Sequence, residues 1–127
     1  MTAATQTVSV IDSAFSPELS LVIGDGHAKA VVSPATGAIH RTMNYLSLGG
    51  AARTVTFRHD QDAAYYIISG GGLVVDQSGD GQSIRAGSMV HVDAGDAYHF
   101  AAGPDGLVVI GGPCPADASL YSLASDL

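Results

Sequence analysis

The stretch AYYIISGGGLVVD, residues 64–76, decides the fold. Its two halves, AYYIIS and GLVVD, are short runs rich in aromatic and β-branched residues, the composition of half-buried strands. The three glycines between them supply the backbone freedom that a tight turn or a strand corner requires. The same alternation of short apolar runs with glycine and aspartate extends to both sides. Downstream lie SMVHV (residues 88–92), AYHFA (97–101) and GLVVIG (106–111); upstream lie LSLVIG (19–24), AKAVVS (28–33), MNYLSL (43–48) and RTVTFRH (53–59). SGDG at 78–81 is a turn signal. A helical turn is expected only at residues 17–21 and in the tail. So many strands in a short chain predict an all-β protein whose antiparallel sheets close or sandwich, removing exposed edges.

The 127 residues, 46% of them hydrophobic, fit one domain with a real core. The expected division is an arm over residues 1–16, free to contact a partner, a barrel over 17–115, and a tail over 116–127 that packs on the barrel through Leu120, Leu123 and Leu127. Net charge is −7, with twelve acidic residues against five basic ones, which argues against a nucleic-acid partner. Apolar runs are too short for a membrane span, and the first residues carry neither a basic head nor a continuous apolar stretch. The expectation is a soluble, cytoplasmic protein. Cys114 is the single cysteine, flanked by prolines, and reads as a buried or inert thiol.

Two histidines close strand-like runs, His59 in RTVTFRH and His99 in DAGDAYHF. With the glycines around them, these segments resemble the small single-domain cupins (RmlC-like cupins). The family's first motif resembles G…HxH…E…G and is matched from Gly50 through Arg53 to Gly70; its second, G…PxG..H, is matched from Gly87 through Gly95 to His99. Together they span roughly residues 45–111. The resemblance implies a double-stranded β-helix, or jelly-roll barrel, with a site in its interior. Anchored on Gly70, the second histidine of the first motif falls on His59, the first on Phe57 and the glutamate on Ala63. A register two residues later puts the first histidine on His59, the second on Gln61 and the glutamate on Tyr65. The Gly70 register needs no insertion and is preferred, and in both the carboxylate is lost from its place; Glu18 is the sole glutamate.

On this reading His99 is the principal acid/base or metal ligand, with His59 its partner across the cavity. Asp62, next to the lost glutamate, assists through a bulge. If residues 53–59 form one strand, Arg53, Val55, Phe57 and His59 share a face, and Arg53 reaches the cavity to hold a substrate oxygen. Phe57, Tyr65, Tyr66, Met89 and Gln61 are the expected substrate-lining residues, one of the two tyrosines pointing in and the other out. Tyr98, alternating with His99, reads as packing, and His91 as a structural or pocket-edge residue. Candidate metal ligands are His59, His99, Asp62 and His40, and the resemblance allows one divalent metal, iron, manganese, nickel or zinc.

Imidazoles in an apolar barrel suit proton transfer at neutral pH. The favoured function is therefore isomerase, cyclase, dehydratase or lyase chemistry on an apolar or aromatic, polyketide-like small molecule. A metal-dependent oxygenase with an incomplete ligand set and a non-catalytic ligand-binding module are the alternatives. Lys29, the sole lysine, lies far from both motifs, which disfavours a Schiff base. A homodimer is the expected assembly.

Overall fold

The structure, a computed structural model, describes residues 8–33, 41–114 and Leu120. It consists of a short 3-10 turn, Ser13–Phe15, and nine strands: β1 (Glu18–Leu19), β2 (Val22–Ile23), β3 (Gly26–Val32), β4 (Met43–Leu48), β5 (Arg53–Thr54), β6 (Ala63–Asp76), β7 (Gly81–Arg85), β8 (Met89–Val92) and β9 (Tyr98–Pro113). The helical turn expected at residues 17–21 is replaced by β1. Pairing is antiparallel throughout.

Two runs that read as separate strands on each side of a glycine cluster are in fact single long strands. AYYIIS and GLVVD merge into the 14 residues of β6, and AYHFA and GLVVIG into the 16 residues of β9. The two long strands pair from Ala63 opposite Pro113 to Asp76 opposite Tyr98, with register shifts at Ile67/Ser69 and Gly70/Gly72 where the ladder bends. Each long strand serves two sheets. One runs β1-β3-β4 onto the second half of β9, then the first half of β6 and β8; the other runs β2-β5 onto the first half of β9, then the second half of β6 and β7. Two sheets sharing bent strands make the double-stranded β-helix, or jelly roll, that the resemblance implies.

Glycine permits the bend. A Cβ on Gly72 would collide with the carbonyl oxygen of Ala101, and one on Gly70, which also has φ +76°, would collide with that of Gly106. The core fills the space between the sheets with Leu46, Ile67, Phe100, Leu107 and Val109, all essentially inaccessible, and Leu120 of the tail joins it. The rest of the tail, like residues 1–7, lies outside the described residues.

Several surfaces remain apolar and open. In the arm, Val8 and Val10 are exposed and belong to no strand, while Lys29 Nζ reaches Ser13 O at 3.1 Å. On the outside of the first sheet, Tyr66 stands opposite both Met89 and Ile110, and Ile110 opposite Tyr45, an apolar row that crosses four strands. Cys114 is exposed, against the expectation of a buried thiol, because its position follows the last residue of β9 where the sheet has ended.

Gly72→Ala is expected to destabilise the fold by about 2–3 kcal/mol, as overpacking against rigid backbone does. Gly79→Ala, with φ +90° but open space around its Cβ, should lose about 1 kcal/mol from backbone strain alone. Urea midpoints that fall equally in the two variants would show that the close approach of β6 and β9 is not what demands glycine.

Candidate active site

His59 reaches the interior because the strand expected over residues 53–59 breaks after two residues. Thr54 is buried and accepts a hydrogen bond from Phe100 N at 3.0 Å, while Val55 N turns to Leu21 O at 2.9 Å. The chain rejoins the sheet at Phe57, which exchanges hydrogen bonds with Tyr98 (Phe57 N to Tyr98 O 2.7 Å, Tyr98 N to Phe57 O 2.9 Å). Thr54 and Phe57 are thus both buried three residues apart, which an unbroken period of two forbids. From Phe57 the alternation restarts and carries His59 inside; Gly95 N donates to its carbonyl at 2.7 Å. Arg53, on the far side of the break, is exposed and does not share the His59 face as expected.

Inside, His59 begins a chain that runs through two phenols. Its Nε2 lies 2.8 Å from the hydroxyl of Tyr98, and that hydroxyl lies 2.6 Å from the hydroxyl of Tyr65. One proton arrangement that satisfies all three has Tyr65 donating to Tyr98 and Tyr98 donating to a neutral imidazole. Tyr98 is 2% exposed, Tyr65 and His59 3% each. Phe57 and Phe100 complete an aromatic enclosure, with Phe57 5.3 Å and Phe100 6.0 Å from Tyr98 between ring centroids, and Phe100 4.9 Å from Tyr65. Tyr65 stands on the first sheet opposite Gly111, and Tyr98 on the second, so their hydrogen bond ties the two sheets together. A Cβ on Gly111 would press on the Tyr65 ring, so its absence makes room for that ring.

His99 is not part of this group. Tyr98 and Phe100 occupy the inner face of β9, so strand alternation turns His99 to the other face, where it is half-buried opposite Val75. Two residues separate glycine from histidine in the second motif, and counted from Gly95 that spacing lands on Tyr98, which holds the interior position assigned to His99. Phe57 and Tyr65 are interior, and of the two adjacent tyrosines Tyr66 is the outward one, 44% exposed. Gln61 is partly buried, with its carbonyl oxygen shielded. His40 lies outside the described residues.

Asp62 does not bulge inward. Its Oδ1 accepts a hydrogen bond from Ala94 N at 2.9 Å, which holds the side chain at the outer rim. There its Oδ2 is 3.8 Å from His91 Nε2, and His91 Nδ1 is 3.7 Å from Asp93 Oδ1. These three exposed residues form a group of ligand atoms that lie within 4.8 Å of one another. The interior is different: among the described residues it offers one imidazole, already bonded to a phenol, and no carboxylate. The chemistry of that donor set does not fit a divalent metal, which takes three or four protein ligands, and of the expected ligands His59, His99 and Asp62 are not brought together.

A cleft of about 320 Å³ opens between β7, β8 and the turn that leads into β9. Tyr98, Val74, Ile84, Val90 and Val92 give it an apolar wall, and Met89 and His91 form its outer lip. Carboxylates of Asp76, Asp93 and Asp96 face the same opening. Hydrogen bonds from the Ser78 hydroxyl, and then from backbone N–H groups, hold the Asp76 carboxyl below the usual carboxylate range. Tyr98 is therefore the residue common to the cleft and the buried hydrogen-bond chain, a role that sequence reading missed.

No protein-family model matches the chain, and no curated relative does. Solved structures do. A predicted oxalate decarboxylase from Thermotoga maritima superposes with a TM-score of 0.69 at 18% identity, covering 85% of this chain and 100% of its own. An RmlC-like cupin from Shewanella frigidimarina gives 0.69 at 14% identity, covering 90% and 95%. The polyketide cyclase RemF from Streptomyces resistomycificus gives 0.67 at 12% identity, covering 87% and 83%. Bent strands shared by two sheets, a site enclosed between them and these superpositions agree, and the chain has the double-stranded β-helix fold of the cupins.

Proposed function

We propose that this protein is a small-molecule enzyme that moves protons within one substrate, in the class of isomerases, cyclases, dehydratases and lyases, with Tyr98 as the residue that faces the substrate. The observation that carries the reading is that Tyr98 both lines the cleft and shares its hydroxyl with His59 and Tyr65. His59 Nε2 takes the Tyr98 proton, and the phenolate, held by the Tyr65 hydroxyl and the imidazolium N–H, removes a proton from the carbon alpha to a substrate carbonyl, leaving an enolate. Tyr98 then delivers that proton to another position of the same substrate, and the imidazolium returns its own proton to the Tyr98 oxygen. Such a step needs no redox partner and leaves the enzyme unchanged.

The apolar wall favours a substrate with an aromatic or polyketide-like ring system. Fold similarity to a polyketide cyclase is compatible with this and also fits many other chemistries. A homodimer through the exposed row that holds Tyr66 and Met89 belongs to the same reading; a monomer mass from light scattering at micromolar concentration would count against it.

Proton transfer can be tested before the full reaction is known. Hydrogen–deuterium exchange alpha to the carbonyl of small aromatic ketones, followed by NMR, is expected to be catalysed by the wild type and slowed by about 100-fold or more in Tyr98→Phe and His59→Gln. Exchange in Tyr98→Phe at the wild-type rate would remove Tyr98 from the mechanism. The same substitution should lower stability by about 1–3 kcal/mol, since it leaves a buried imidazole with one fewer partner, so rates are compared on protein whose near-UV circular dichroism is native.

A further inference from the structure

We propose that this chain binds a divalent first-row cation at the rim of the cleft, through Asp62, His91 and Asp93, and not in the barrel interior. The inference stands apart from the proton-transfer reading, because none of the three residues belongs to the buried chain of His59, Tyr98 and Tyr65. Two observations lead to it. Among the described residues the interior offers a single imidazole and no carboxylate, and the Tyr98 phenol is bonded to that imidazole. At the rim, imidazole and carboxylate donors lie together beside a cleft that two of them line.

Local structure gathers the three donors. His91 and Asp93 are two residues apart at the end of β8, which places them on one face. Asp62 immediately precedes Ala63, and Ala63 pairs with Val92, so the register brings Asp62 level with the end of β8. The Ala94 N–H occupies Asp62 Oδ1 and leaves Oδ2 directed at His91. Bond lengths of about 2.0–2.2 Å to a zinc-like cation ask for donor atoms roughly 3–3.5 Å apart. Asp62 and Asp93 approach different ring nitrogens of His91 in this structure, so ligation requires the exposed side chains to rotate until one nitrogen and both carboxylates meet the cation. Imidazole with two carboxylates suits zinc, manganese, iron(II) or nickel better than an all-oxygen site would.

The field agrees with the donors. Asp76 and Asp96 line the same cleft, and no lysine or arginine does. A cation at the rim lowers this accumulated negative charge. Its remaining coordination positions open onto the cleft, where they would take water or an oxygen of a bound molecule.

The test uses full-length protein without an affinity tag, titrated calorimetrically with Zn²⁺, and by NMR with Mn²⁺, whose paramagnetism broadens nearby amide signals. One equivalent of Zn²⁺ is expected to bind the wild type and His59→Gln alike. His91→Ala and Asp93→Asn should weaken it at least about tenfold, since loss of even an outer partner of a metal ligand costs about 10–100-fold. Mn²⁺ should broaden the amides of His91 and Ala94 before that of His59. Zn²⁺ affinity that survives in His91→Ala but falls in His59→Gln would place the cation inside and overturn the proposal. Absence of stoichiometric binding in the wild type would also overturn it.

Discussion

Two backbones that pass closer than a side chain would allow give this barrel its shape. Where β6 and β9 bend together, the carbonyl oxygens of Ala101 and Gly106 lie where Cβ atoms of Gly72 and Gly70 would be. The bend lets one pair of strands serve two sheets, and each sheet then presents an inner face to the other. Tyr65 and Tyr98 come from opposite sides of that arrangement, so the contact of their hydroxyls depends on the corner as much as on the residues themselves. Without the glycines the phenols would belong to two separate surfaces.

Burying a polar group without a partner is unfavourable by about 1–3 kcal/mol, and His59, Tyr65 and Tyr98 bring three buried polar ends together. They satisfy one another in a linear chain, with aromatic rings on the flanks excluding water. Such a chain needs no ion to balance it, because all its members can be neutral at once. A carboxylate in the same place would require a cation nearby. The absence of a carboxylate at Ala63 and the presence of two phenols are therefore consistent with each other as electrostatics. The acidic side chains are instead at the rim, where solvent bears the energetic burden of their charge.

Strand composition made the all-β class and the positions of most strands legible, since alternation and glycine punctuation are local properties. The fusion of the runs in β6 and β9 was not legible, because a glycine cluster that permits a turn equally permits a bend, and only the partner strand decides between them. The phase of β9 was legible only in the second motif's spacing, which from Gly95 reaches Tyr98 and not His99. Tyr98 and His99 are adjacent, either can face a core, and the Phe57 bridge that selects Tyr98 comes from more than thirty residues upstream. For Arg53 the error came from one assumption, an unbroken period of two through residue 59, which the turn of Val55 toward Leu21 interrupts. Asp62 and His91 were each visible as candidate donors. Their proximity depended on the register of β6 with β8, which no local pattern encodes.

The long β6 and β9 ladder also constrains the order of assembly. The turn at residues 78–81 lets β6 and β7 form a hairpin locally, with Val75 opposite Gly81. The β9 strand has no such neighbour: it must close a loop from Asp76 to Tyr98 before its first pair forms, and each later pair joins residues farther apart in the chain. Loop-closure entropy is thus lowest at the end that carries Tyr98, and zipping from there toward Pro113 is the least unfavourable route. The end of the ladder that borders the cleft would then be nucleated early, and the junction that ends in Cys114 would lock last.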